Sequence, residues 1–211
     1  NVSDKREGQH MYGQIRAGLS HSINNRTVRD LLMVGAILGL GIITVEAYWQ
    51  ARLTWIVGEP TYTLLGWTTG GYFLMGIIGP MLIAGIAARY KIAPKAQILI
   101  LPIFGGLALY VLAIQTTVTP FIVAYMGIML FMSMIHSPIA TLLNTETPDE
   151  LRSTMQSIYS LSLRGGATIS AIGFAGLVKI WSIGGVWQLI AVMILAFGVI
   201  RIVLALRARA P

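Results

Sequence analysis

The chain contains no cysteine, which excludes a disulfide framework, a thiolate nucleophile and a zinc–thiolate site together. Charge is scarce as well: 11% of the 211 residues are Asp, Glu, Lys or Arg, against about 25% in an average soluble domain. The three histidines, His10, His21 and His136, lie far apart along the chain. There is no G-x-S-x-G, no H-E-x-x-H and no P-loop, so hydrolytic, zinc-dependent and nucleotide-dependent chemistry have no residues to rest on. The first thirty residues are polar and hold no signal-peptide core. The expectation is a protein that is not an enzyme and has no cofactor or bound metal.

What the chain does have is apolar length. Hydrophobic residues make up 55% of it, and six uncharged or nearly uncharged runs stand out: Leu31–Tyr48, Leu64–Ala88, Ala96–Ile114, Thr119–Leu143, Thr154–Val178 and Gly184–Leu206. Each is close to the roughly 20 residues a helix needs to span a ~30 Å hydrocarbon core. In lipid every backbone N–H and C=O must be paired within its own segment, so these runs are expected to be helices. The fold class expected is an all-α membrane protein of six transmembrane helices over residues 29–211, with the lipid bilayer as its first partner. The 23 glycines suit such helices, because small residues let backbones approach closely.

The net charge of +7 does not require a nucleic-acid partner, because the cations flank the apolar runs. Lys5, Arg6, Arg16, Arg26, Arg29, Arg89, Lys91, Lys95, Arg152, Arg207 and Arg209 fall on one side of the expected topology, and only Arg52 and Lys179 on the other. Eleven against two predicts that both termini are cytoplasmic, in the cell (inner) membrane. The tryptophans Trp49, Trp55, Trp67, Trp181 and Trp187 fall at or near the opposite ends, which reads as an aromatic belt on one interface. Residues 1–28 read as a cytoplasmic linker. From Tyr12 the apolar positions Tyr12, Ile15, Leu19 and Ile23 recur every three or four residues, while Gln14, Arg16, His21 and Arg26 take other faces. This predicts an amphipathic helix on the membrane surface, with a mostly disordered tail as the alternative.

The layout of a basic amphipathic linker running into "NNRTVRDLLMVG", followed by six helices with both ends inside, resembles the C-terminal half of a major facilitator superfamily transporter. The best local match is "NTETPDELRSTMQSIYSLSLRGGATISAIG", Asn144 to Gly173, which is similar to the family's junction between its tenth and eleventh helices. "GIAARYKIAPK", Gly85 to Lys95, sits where the second copy of the family's Gly-x-x-x-Asp-Arg loop would fall. Ala88 replaces the acidic residue there, so only Gly85 and Arg89 carry over. The resemblance implies a fold made of a major-facilitator-type half bundle and, as partner, an N-terminal six-helix half. Small-molecule substrate would be held between the halves and moved by alternating access. Proton-coupled efflux is the function this implies. A non-transporting membrane subunit or channel-like assembly protein is the alternative; six further spans encoded upstream of Asn1 would favour the transporter.

Only Glu46, Arg164 and Arg201 are charged within the runs, and charges there are functional candidates by default. Arg201 is near the end of its run and is expected to snorkel to the headgroups. Arg164 is ten residues, about 15 Å, into its run. It shares a stripe with Gln156, Ser160 and Thr168, which the resemblance would set beside the substrate cavity; a purely structural pairing is the alternative. Glu46 is either a partly withdrawn, proton-carrying carboxyl or an interfacial partner of Arg52. His136, about 12 Å from its helix end, can exchange a proton near neutral pH or merely pack. Pro138 is expected to bend that helix. Tyr72, Tyr110, Tyr125 and Tyr159 line a cavity or pack, and Gly71, Gly76, Gly79, Gly85 and Pro80 predict close packing and a kink. The substrate and proton pathway candidates are therefore Glu46, His136, Arg164, Gln156, Ser160, Thr168 and Tyr159.

Overall fold

A computed structural model describes residues 2–59 and 61–208, with side chains from residue 13 on; Tyr12, Lys5, Arg6 and Arg209 fall outside the described side chains. Every regular element is helical: α1 (Val2–Asn24), α2 (Arg26–Val57), α3 (Tyr62–Tyr90), α4 (Pro94–Ala113), α5 (Val118–Met134), α6 (His136–Thr145) and α7 (Arg152–Arg207), with a 3₁₀ turn at Asp149–Leu151. Among the described residues there is no strand. Local chemistry sets the boundaries. Asn25 leaves the helical region and its side chain accepts from the Val28 N–H at 3.2 Å, capping α2. Thr61 caps α3 in the same way through Leu64 N–H. Lys91 ends α3 in the left-handed region, and Pro94 opens α4, where its missing N–H costs nothing.

Five helical stretches are long and apolar enough to cross a membrane, and the last, Asp149–Arg207, is 59 residues long. A straight helix of that length would reach about 88 Å at 1.5 Å per residue, nearly three hydrocarbon cores. It is broken at Ser182, whose φ of 70° and ψ of 160° are not helical. A first arm (152–181) and a second arm (183–207) result. The Ser162 and Ser170 hydroxyls of the first arm donate to the Leu32 and Leu40 carbonyls of α2, at 2.6 and 2.9 Å. Residue numbers thus rise together, and that arm runs parallel to α2. In the second arm, Trp187 donates its indole N–H to the Thr44 carbonyl at 3.2 Å while Ile194 packs beside Gly41, so that arm runs the other way. With this break, six helical stretches long enough to cross a membrane result.

Their ends sort onto two faces. Asp30, Ile98 and Arg201 meet on one, joined there by His21, Lys95 and Glu146. Arg52, Gln115 and Gly184 meet on the other. On the first arm, Gly166 lies so close to α2 that a Cβ there would run into the Ala36 carbonyl, and one at Gly39 would run into the Leu163 carbonyl. Small residues on both helices create this seam, as expected where close backbone approach replaces the hydrophobic effect. The core along it holds Leu31, Leu38, Val45, Met155, Trp187 and Ile190.

Large apolar side chains also cover the outside, among them Met81 at 70% and Ile172 at 76% exposure. The accessible surface is 12217 Å², against about 9,600 Å² for a compact soluble monomer of this mass. The molecule is thus an open bundle with apolar faces turned outward, as a bilayer-embedded chain requires.

Several expectations are corrected at this level. Trp49 and Trp187 are buried in the core, so only Trp55, Trp67 and Trp181 remain on the surface as belt residues. The bend at Pro138 appears between α5 and α6, at Ile135, because proline at 138 removes the donor for, and crowds, the carbonyl four residues earlier at Met134. Arg201 does not snorkel: its side chain is only 10% exposed and turns inward to Asp30 and the Ile98 carbonyl. Of the α3 glycines, Gly71 and Gly79 face α5 closely, whereas a Cβ at Gly76 or Gly85 would meet nothing within 4 Å. The residues Val2–Asn24 before α2 form the helix α1. Ile15, Leu19 and Ile23 are exposed, while Gly18 and Ser22 pack against Met155 and neighbours of the first arm.

Candidate functional site

α2, α3, α5, α6 and the first arm of α7 enclose a cleft of about 550 Å³. α2 contributes Ile42 and Glu46, one turn apart on the same face. From α3 come Tyr72, Phe73 and Gly76, from α5 Met129, Met132 and Ser133, and from the start of α6 His136. A smaller hollow of about 200 Å³ shares Glu46, Tyr72 and Phe73 with it and continues toward Trp49, Gln50, Thr69 and Tyr125. Glu46 therefore stands where the two meet.

The carboxylate is held rather than free. The Tyr72 hydroxyl donates to Glu46 Oε1 at 2.7 Å. Behind Tyr72 stands Tyr125, whose ring meets those of both Trp49 and Phe121, and Phe121 in turn meets Trp187, at centroid spacings of 5.2 to 6.5 Å, so the wall that orients the phenol is itself packed. Arg52 is not the partner of Glu46. It donates to the Gln115 carbonyl at 2.9 Å and lies over the Trp55 ring, 4.5 Å from its centroid. The reason is geometric: six residues separate Glu46 from Arg52, which leaves their side chains about 120° apart around one helix.

Two proline-dependent features shape the cleft. Pro80 has no N–H to give the Gly76 carbonyl, and Gly76 has no side chain to fill the space beside it. A backbone acceptor released from the helix ladder is thus found on the cleft wall. On the opposite wall, Pro138 starts the bend that brings His136 to the first position of α6. The Ser133 hydroxyl lies 2.9 Å from both the Met75 and the Leu130 carbonyls, fastening α3 to α5 at the cleft wall.

The sequence candidates divide. Glu46 and His136, 90 positions apart in the chain, share one cleft. Arg164 does not line it, although its neighbour Leu163 does. Arg164, Gln156 and Thr168 are exposed and Ser160 is half-buried, so the stripe forms a separate strip on the first arm. Gln156 reaches Asn144 at 3.4 Å, Thr168 bonds the Arg164 carbonyl at 2.9 Å, and Arg164 makes no ion pair among the described residues. Tyr159 packs its ring on Gly35, with its hydroxyl enclosed and unpartnered among the described residues. Tyr110 is exposed on α4. Among the described residues no three metal-ligating side chains come together.

Tyr72 and Tyr125 were legible only as pack-or-line alternatives. Met129, Met132 and Phe73 carried no sequence signal that separates them from ordinary apolar helix positions. Gly76 with Pro80 did carry one, since a glycine four residues before a proline marks an uncovered carbonyl. No protein-family model matches the chain, and no curated protein matches it.

Proposed function

We propose that the chain is one six-helix half of a secondary active transporter of the major facilitator type. It would move a small solute by alternating access, with efflux coupled to protons. The observation that carries this reading is the cleft that brings Glu46, Tyr72 and His136 together within a membrane bundle. A cycle driven by a proton gradient needs a group whose charge changes between its two states, and a carboxyl and an imidazole are the two side chains able to do so within reach of neutral pH. The Met129, Met132, Phe73 and Ile42 lining suits an apolar or aromatic solute, because thioethers and rings adapt to irregular shapes. The chemistry asked of the chain is binding and proton exchange, not bond cleavage.

The partner is an N-terminal six-helix half. Gln156, Arg164 and Thr168 form an exposed polar strip that lipid would not tolerate, and a facing half would cover it. The alignment of both bundle ends on one face, together with the eleven cations on that side, supports cytoplasmic termini in the inner membrane.

The test uses the complete transporter. Glu46→Gln abolishes gradient-driven accumulation and leaves solute exchange intact if Glu46 carries the proton; His136→Ala does so if the imidazole carries it. Normal gradient-driven transport in both variants overturns the coupling. Robust transport by the purified, reconstituted chain as a monomer overturns the half-transporter reading.

A further inference from the structure

A second cleft opens on the face where Asp30, Ile98 and Arg201 meet. It holds about 300 Å³, and its charged lining is Arg26 and Asp30 of α2, Lys95 of α4 and Arg201 of α7. Three cations face one carboxylate. Asp30 lies 3.8 Å from Arg201, at the outer edge of ion pairing, and Arg201 spends another nitrogen on the Ile98 carbonyl. Lys95 touches Glu146 at 2.9 Å yet stays 61% exposed, and an ammonium has three donors to give. Arg26 is exposed and makes no ion pair among the described residues. The cleft is left with positive charge uncompensated at the ends of the helices.

Directly beside it lies a groove of about 270 Å³ between α4 and the second arm of α7. The two share Lys95, Leu99 and Ala205, and the groove continues past Ile100, Ile202 and Leu206. Apart from Lys95 its lining is wholly aliphatic. Ile100 and Leu206 are exposed on the outer surface of the bundle. The lining therefore changes once, from cationic in the cleft to aliphatic in the groove beside it on the outer surface of the bundle. A phospholipid carries both parts next to each other: a phosphate for the cations and the start of an acyl chain for the outer aliphatic surface. A free phosphate would use the first part and leave the groove empty.

We propose that this joint site holds one anionic phospholipid. The phosphodiester sits among Arg26, Lys95 and Arg201, and one acyl chain occupies the groove past Leu99 and Ala205. Guanidinium groups suit phosphate oxygens because their paired N–H donors match them geometrically, and basic pockets between helices near the membrane surface take such headgroups. The bound lipid would add a further tie between α2, α4 and the end of α7, whose polar links in the cleft are one long ion pair and one hydrogen bond. The site is separate from the Glu46–His136 cleft and does not depend on a transport function.

Native mass spectrometry of the detergent-purified protein tests this, with dioleoylphosphatidylglycerol, dioleoylphosphatidylcholine and inorganic phosphate as probes. One phosphatidylglycerol is expected to be retained in preference to phosphatidylcholine. Arg26→Gln should weaken its binding about five-fold, the effect of one cation near a membrane surface. Ala96→Phe fills the groove from a position that lines it and not the cationic cleft, leaves every cation in place and should weaken binding as well. Arg89→Gln, on α3 and outside the cleft, should leave binding unchanged. Equal retention of both lipids overturns the proposal, as does wild-type binding by Arg26→Gln. Displacement of the lipid by millimolar phosphate with no effect of Ala96→Phe would make this a free-anion site and also overturns it.

Discussion

The Arg201 guanidinium donates to the carbonyl of Ile98 at 3.1 Å, an acceptor that is open to it because Pro102, four residues on, has no N–H to offer. A proline on one helix thus creates the place where an arginine on another can be held below the headgroup level. The same relation of proline to the carbonyl four residues earlier gives the break between α5 and α6 at Ile135, through the Met134 carbonyl, and the open Gly76 carbonyl on the cleft wall.

Arg201 and Pro102 should therefore be energetically coupled. Arg201→Met is expected to lower stability by roughly 1.5–3 kcal/mol, the range for a hydrogen bond from a charged donor. In a Pro102→Ala background, where the helix supplies its own donor, the loss should be smaller by about 1 kcal/mol. A thermal-melt double-mutant cycle measures the coupling; additive effects would refute it.

Gly165 and Gly166 are neighbours with opposite expectations. A Cβ at Gly165 meets nothing within 4 Å, whereas one at Gly166 collides with the Ala36 backbone. Gly166→Ala should cost about 1–3 kcal/mol through forced separation of two helices. Gly165→Ala should be neutral or slightly stabilising through helix propensity. Equal melting temperatures for the two variants would contradict the seam.

Topology is open to labelling because the chain is cysteine-free. Gly58 and Glu150 lie at opposite ends of the crossings. With cysteines placed singly at the two positions, an impermeant maleimide on intact cells should label position 58 and spare position 150. The reverse pattern would invert the orientation.

Glu146 has a carboxyl held below its ordinary value of 4.5 by the hydrogen bond from Lys95, against a smaller opposing effect of partial burial and with help from Asn25. A carboxyl lowered on folding adds stability that is fully present above its unfolded value and is lost as pH falls through its folded one. The melting-temperature difference between wild type and Glu146→Gln should stay constant from neutrality to about pH 5. It should shrink below pH 4.5. A difference that vanishes already at pH 6 would mean that another group controls the contact.

Apolar run length was enough to read the helices long enough to cross a membrane and their order along the chain. Those properties are set by solvation of each segment separately, and solvation depends on composition along the chain. The break at Ser182 is narrower than any such signal, being one residue's dihedral angles between two runs already separated by Lys179. Depth along a helix was also legible, which is why Glu46, His136 and Arg164 stood out. Which of them meet was decided by rotation of each helix about its axis, and that is fixed by packing between residues distant in sequence: Gly39 against Leu163, Gly166 against Ala36, Ser133 against Met75. Those seams turn Glu46 and His136 into one cleft, turn Arg164 out of it, and direct Arg201 inward to a carbonyl that only the path of a neighbouring helix brings within reach.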